Sequence, residues 1–232
     1  MRLTVLVGRS VSPAKLERLR ALETSRITVE LTGNDTDDAE AEARRRDDAG
    51  HAIYIPPYND PDIIAGQATV GVEILEDWPE VDTIIVPIGG GGLIAGIGLW
   101  AKAIKPRLRL VGVQPAASPP MYAHMETGST DPMPIAPTLA DGVAGNIERD
   151  SITWKLCGQL VDEVVVVEEE DIASAMRWAM EVPHMLLEGS AALGIAALRA
   201  AAVDVTGRNV AVVTTGRAVS VETLRTVLGN DT

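Results

Sequence analysis

Phenylalanine is missing altogether, and tryptophan and tyrosine bring the aromatic share to only 3%. Aliphatic side chains must therefore fill the interior, and with 46% hydrophobic residues in a chain of 232 there are enough to bury a real core, so a disordered chain is excluded. A single cysteine, Cys157, excludes an intrachain disulfide; it lies in a helical-looking stretch where a small buried residue is the plain reading. Positive charge is scarce. Twenty Lys and Arg against 33 Asp and Glu leave a formal net charge of −13, with no basic cluster beyond Arg44-Arg45-Arg46. That balance argues against nucleic acid or an anionic membrane as partner and favours a small metabolite. The longest uncharged stretch, residues 83–101, holds Pro87 and six glycines, and reads as strand, loop and helix rather than a membrane span. The first residues reach Arg9 too soon for a signal sequence, so the cytoplasm is expected. His51, His124 and His184 are too scattered for a metal site or a catalytic triad.

What is present is alternation. Short β-rich runs trade places with helical patterns almost from end to end, which predicts an α/β fold: a parallel sheet with crossover helices on both faces. Strands are expected at residues 3–7, 27–31, 52–55, 83–88, 109–114, 163–167 and 209–214. Between them, Ser12 and Pro13 open a helix carrying Leu16, Leu19 and Leu22, and Asp35 to Asp37 supply capping oxygens for a charged helix over 39–48 that ends at Gly50. Further helices are expected over 62–76, 93–104, 151–160, 171–180, 190–202 and 219–227. Pro56-Pro57-Tyr58-Asn59-Asp60-Pro61 interrupts this order, because proline lacks the donor a ladder or helix needs. A domain crossing is expected there, with a partial small α/β domain over 1–55 and a larger cofactor-binding α/β domain over 56–232. Residues 115–137 hold six prolines, so an irregular loop is expected, with one short helix around Met121 to Met125.

Gly89-Gly90-Gly91-Gly92 stands where a buried strand ends and a helix begins. Four glycines expose main-chain N–H groups with no side chain in the way, and the helix start adds positive dipole, so anions fit. No Lys-Ser/Thr follows, which disfavours a nucleoside-triphosphate loop. Gly92, Gly96 and Gly98 only loosely imitate a dinucleotide fingerprint, and Gln114 ends the next strand where a ribose-binding acid belongs. The alternative is that the glycines merely permit close helix-to-sheet packing.

Five segments in order carry a resemblance. They are Tyr58-Asn59-Asp60-Pro61-Asp62-Ile63-Ile64-Ala65-Gly66-Gln67, Pro87-Ile88 with the glycines and Leu93-Ile94-Ala95-Gly96, Thr138-Leu139-Ala140-Asp141-Gly142, Leu187-Glu188-Gly189-Ser190-Ala191-Ala192, and Val213-Thr214-Thr215-Gly216. With them the chain resembles the pyridoxal-phosphate enzymes of the tryptophan synthase β fold, and within those the serine/threonine dehydratases. The resemblance implies pyridoxal 5'-phosphate as cofactor. It implies that Gly89, Gly90, Gly91 and Gly92, with Leu93, hold its phosphate through backbone N–H groups, that Thr214, or in second place Thr215, meets the pyridine nitrogen, and that Glu188 lies close to ring and substrate. The substrate class implied is a small hydroxy amino acid, with a phosphate-bearing ligand as the alternative. Thr214 alone is equally a strand end, and Glu188 alone an acid favoured at a helix start.

The family's cofactor lysine stands in a Ser-Phe-Lys-x-Arg-Gly type segment with no counterpart here; the lysines are Lys15, Lys102, Lys105 and Lys155, none in a setting that would activate an amine. The loop that grips the substrate carboxylate in relatives is also without a match. Met1 is therefore expected to fall partway through the smaller domain, no catalytic residue is assigned, and the chain alone is expected to be inactive, with a non-catalytic ligand-binding or partner-binding remnant as the alternative. Relatives that bind a divalent cation use two acids where Gln114 and Pro120 stand, so no metal is expected there. A sheet lacking its first strands leaves open edges, so a homo-oligomer is expected.

Overall fold

The computed structural model describes residues 1–229, apart from the Ala14 side chain. They fall into two units, residues 1–56 with 218–224 and residues 57–217 with those from Arg225 on. In the first, β1 (Leu3–Val7) runs parallel to β2 (Ile27–Leu31), from Leu3 opposite Ile27 to Val7 opposite Leu31. α1 (Pro13–Arg20) connects them, opened as expected by Ser12, whose hydroxyl accepts the Lys15 N–H at 3.4 Å. α2 (Thr36–Asp48) starts earlier than the pattern foresaw because the Asp35 carboxylate accepts the Asp38 N–H at 3.0 Å.

One expected strand does not form. Residues 52–55 join no ladder among the described residues, and Ile53 and Ile55 are 89% and 62% exposed. Only Tyr54 tucks in, with the Arg44 guanidinium 5.5 Å above its ring. Alternation marks a side chain's face, but a strand also needs a partner, and prolines follow at once.

The second unit is built on a four-stranded parallel sheet. α3 (Pro61–Asp77) opens on Asp60, whose carboxylate accepts from the Asp62 and Ile63 N–H groups at 2.8 and 3.1 Å. Then come β3 (Thr83–Pro87), α4 (Gly92–Ile104), β4 (Arg109–Pro115), α5 (Pro120–Thr127), α6 (Ile152–Leu160), β5 (Glu163–Val167), α7 (Glu169–Glu181), α8 (Gly189–Arg199) and β6 (Val210–Val212); α9 (Val221–Gly229) follows. The strands lie in the order β5-β4-β3-β6, every pair parallel.

Every residue of β3 is buried, and its side chains alternate between two cores. Ile84 and Val86 join Ile94, Ile97, Leu110 and Cys157 on the side covered by α3, α4 and α6. Ile85 faces the other way, where a Cβ added to Gly194 of α8 would stand 3.4 Å from it. Each fully buried isoleucine contributes roughly 1.5–3 kcal/mol. The fold is thus α/β, a parallel sheet with helices on both faces.

The strand order fixes where a ligand has room. The chain runs from β3 outward through β4 to β5 and then returns past its start to lay β6 on the other side of β3. At such a reversal the loops leaving the two neighbouring strands diverge to opposite faces and open a crevice at the carboxyl edge.

Candidate functional site

Both strands at the reversal end in segments singled out from the sequence. Past β3, Ile88 still donates its N–H to the Val113 carbonyl at 2.9 Å, and residues 89–91 then turn into α4. Gly91 is the N-cap, in the left-handed region at φ 87°, with no side chain to cap the helix. The first bond into the helix runs from the Ala95 N–H to the Gly91 carbonyl at 3.0 Å. The N–H groups of Gly92 and Leu93 precede that ladder, at the positive end of an aligned set of peptide dipoles. Donors of this kind, at the start of a helix opened by glycines, suit a phosphate.

The walls of the loop leave little freedom. A Cβ on Gly90 would stand 2.3 Å from the Tyr58 ring, and one on Gly92 3.0 Å from Tyr58 Cβ. On Gly91 it would meet Thr153, Cys157 and Met121 at 3.1–3.3 Å, and on Gly89 the Val143 backbone at 3.2 Å. Gly96 and Gly98 do different work: Gly96 lets α4 approach the Ile64 carbonyl of α3, where a Cβ would be 2.4 Å away, and Gly98 makes room for Leu110 and Leu160. Their resemblance to a dinucleotide fingerprint comes from helix packing. Cys157 is fully buried beneath Gly91, and desolvation pushes its thiol up to about 12.

Past β6, Val213 donates to the Ile85 carbonyl at 2.9 Å. Continuing the register of Ile85 with Val212 sets Thr214 beside Pro87, the last residue of β3. Thr214 and Thr215 are both exposed at this edge. Glu188 is the N-cap of α8; its N–H donates to the Gly216 carbonyl at 3.1 Å, and its carbonyl accepts from Ala191 and Ala192. Its carboxylate rests on Gly216, where a Cβ would stand 2.7 Å from Oε1.

Residues 138–143 close the circle. The Gly142 N–H donates to Ser190 Oγ at 2.9 Å, the Leu139 N–H to Glu169 Oε2 at 2.8 Å, and Val143 lies against Gly89. α8 comes so near that a Cβ on Gly189 would be 2.1 Å from the Leu139 carbonyl oxygen. The structure therefore brings the glycine loop, residues 138–143, Glu188 and Thr214 to one end of one sheet.

Two of the lysines stand at the other end of the sheet. Lys102 Nζ pairs with Asp162 at 2.7 Å and Lys105 Nζ donates to the Pro79 and Val81 carbonyls, placing both at the opposite, amino edge of the sheet. Gln114 is buried, its Nε2 donating to the Ile88 carbonyl at 3.2 Å and its Oε1 accepting the Tyr122 N–H at 2.9 Å, and Pro120 opens α5. Tyr58 opens the first of the five resembling segments with no role implied for it, and the structure makes it a wall of the glycine loop. It stood in a proline-rich segment read as a domain crossing, and an aromatic beside an all-glycine turn is the only signal available.

A parallel sheet with open helix-start N–H groups at its reversal point is an architecture that suits a phosphate-bearing ligand. Comparison with known proteins is more specific: the profile of the pyridoxal-phosphate dependent enzymes matches residues 1–216, and the chain belongs to that family. An L-threonine ammonia-lyase of Thermotoga maritima is 37% identical over 225 residues, 97% of this chain and 55% of the relative. One from Geobacter sulfurreducens is 38% identical over 227 residues, with the same shares. Among solved structures, maize serine racemase superposes with a TM-score of 0.86 at 29% identity, covering 99% of this chain and 70% of the other. The chain thus spans about half the length of the curated relatives it matches. Among the described residues no helix is long and apolar enough to cross a membrane.

Proposed function

We propose that this chain forms the pyridoxal 5'-phosphate-binding part of a dehydratase-type lyase, which removes the β-hydroxyl of a serine- or threonine-like amino acid to give a 2-oxo acid and ammonia. The observation that carries the reading is the uncapped helix start at Gly91, set at the strand reversal beside Thr214. Gly89, Gly90, Gly91, Gly92 and Leu93 hold the phosphate. Thr214, one strand over, offers a hydroxyl to the pyridine nitrogen, and Glu188 borders ring and substrate from the start of α8. The cofactor, when bound, supplies a sink for electrons left at the amino acid's α-carbon. A neutral hydroxyl does not hold a proton on that nitrogen, and this moderate sink suits elimination, where the electrons leave again with the β-hydroxyl. The amine that binds the cofactor covalently is assigned to another segment or a partner chain, because the chain has no counterpart of the family's lysine segment and Lys102 and Lys105 are engaged at the far edge of the sheet.

The test is a fluorescence titration of the chain with pyridoxal 5'-phosphate, with inorganic phosphate as competitor, and an assay for 2-oxo acid from L-serine and L-threonine. Saturable binding that phosphate competes away, with no turnover by this chain alone, is expected. Absence of saturable binding sinks the cofactor reading, and turnover by the chain alone sinks the outside source of the amine.

A further inference from the structure

The Tyr58 ring is kept against the glycine loop by a residue that no motif contains. Glu148 lies in the segment ahead of α6, and each of its polar groups is engaged. Its N–H donates to Tyr58 Oη at 3.1 Å, its carbonyl accepts the Trp154 indole N–H at 2.7 Å and the Ser151 N–H at 3.1 Å, and its carboxylate accepts from Asn59 Nδ2. The other end of the same amide, Asn59 Oδ1, accepts the Ile152 N–H at 3.0 Å, at the first residue of α6. Trp154 is buried, and its ring lies 4.6 Å from that of His124 of α5 at a tilt of 47°, so the indole that holds the carbonyl is itself packed.

These bonds reach the loop from two sides. Tyr58 covers Gly90 and Gly92, while Thr153 and Cys157 of α6 press on Gly91 from below. The bridge from Asn59 to Glu148 joins the Tyr58 segment to the start of α6, and the loop is caught between them. A chain of four glycines has no side chains with which to fix its own shape, so its N–H directions are set by what packs on it. A hydrogen bond to a carboxylate is among the stronger ones available for that purpose.

We propose that Glu148, acting with Asn59, is a positioning residue for the phosphate cradle: it clamps Tyr58 and α6 onto Gly90, Gly91 and Gly92 and so aims the N–H groups of the loop before any ligand arrives. The proposal rests on the cofactor reading for its purpose but not for its test. In ligand-free protein, Glu148→Ala raises amide hydrogen exchange several-fold across residues 89–93 and leaves β5 unchanged, while Glu148→Gln, which keeps an acceptor for Asn59, restores most of the protection. In titrations, Glu148→Ala and Asn59→Ala weaken pyridoxal 5'-phosphate by about tenfold, the worth of one charge-assisted hydrogen bond, and leave pyridoxal, which has no phosphate, unaffected. Tyr58→Phe removes only the hydroxyl; it keeps the ring and the fold, and shows the same pattern more weakly should the alanine variants unfold. Unchanged exchange at 89–93 in all of these variants overturns the proposal, as does an equal loss of pyridoxal and its phosphate. A wild-type chain that binds no pyridoxal 5'-phosphate refutes the cofactor reading instead, and the exchange measurement still decides the clamp.

Discussion

Gly189 and Gly216 lie at opposite ends of the Glu188 contact, and an added methyl group has a different consequence at each. At Gly189 the new atom would stand 2.1 Å from the Leu139 carbonyl oxygen and 2.4 Å from its carbon, both backbone, so α8 or residues 138–140 must move. Gly189→Ala is expected to cost roughly 1–3 kcal/mol and several degrees of Tm in a thermal melt. At Gly216 the obstacle is the Glu188 carboxylate, the end of a flexible side chain. Gly216→Ala is expected to stay within about 1 kcal/mol of wild type while weakening pyridoxal 5'-phosphate. The same melts, with a cofactor titration, check both; a Gly216→Ala protein that loses stability but not affinity would deny Glu188 its place at the ring. Neither close approach was legible in the sequence, because a glycine's neighbours are set by tertiary packing. Gly91 was more readable, since a glycine run between strand and helix calls for positive φ somewhere.

Among elements, those with caps were the most legible. Ser12 and Asp35 each open the helix that follows through a side-chain acceptor, and β1, β2 and β5 keep the limits their apolar runs drew, whereas the Asp60 cap of α3 was hidden in the proline-rich interruption. The last strand, Val210–Val212, is shorter than its pattern. α2 also carries a pH response of its own. Its Glu42 binds the Arg45 and Arg46 side chains, at 2.7 and 2.8 Å, and these bonds lower its pKa from 4.5 to about 2. A carboxyl whose folded pKa is depressed adds stability above its unfolded value and loses it as pH falls. The contribution is therefore complete above about 4.5 and fades toward pH 2. Glu42→Gln should show a shallower loss of helical circular dichroism across that window than wild type. The exposed setting keeps the difference small, and 1 M salt should shrink it further.

For the molecule, the alternation of strand and helix made the α/β class and the parallel sheet legible, and five ordered segments made the family so. The order β5-β4-β3-β6 was not, because sequence spacing does not say on which side of β3 the returning strand lands. Without it, Thr214 and the glycine loop were neighbours by resemblance only. β6 stands at the end of the sheet with half-buried Val210, Ala211 and Val212, and light scattering on a size-exclusion column is expected to show a homo-oligomer. A monomer at all concentrations would count against it.

The pairing of Thr83 with Val210 also has a kinetic side. β4 and β5 reach their places soon after β3 is made, but β6 closes on β3 only once more than a hundred further residues exist, and contacts of such long sequence separation form late. On the ribosome, β3 waits with one edge bare while residues 88–209 emerge, and the two sides of the crevice meet only after Val210–Val212 has been made. A nascent chain halted before Val210 would hold the glycine loop without the strand that brings Thr214 to it.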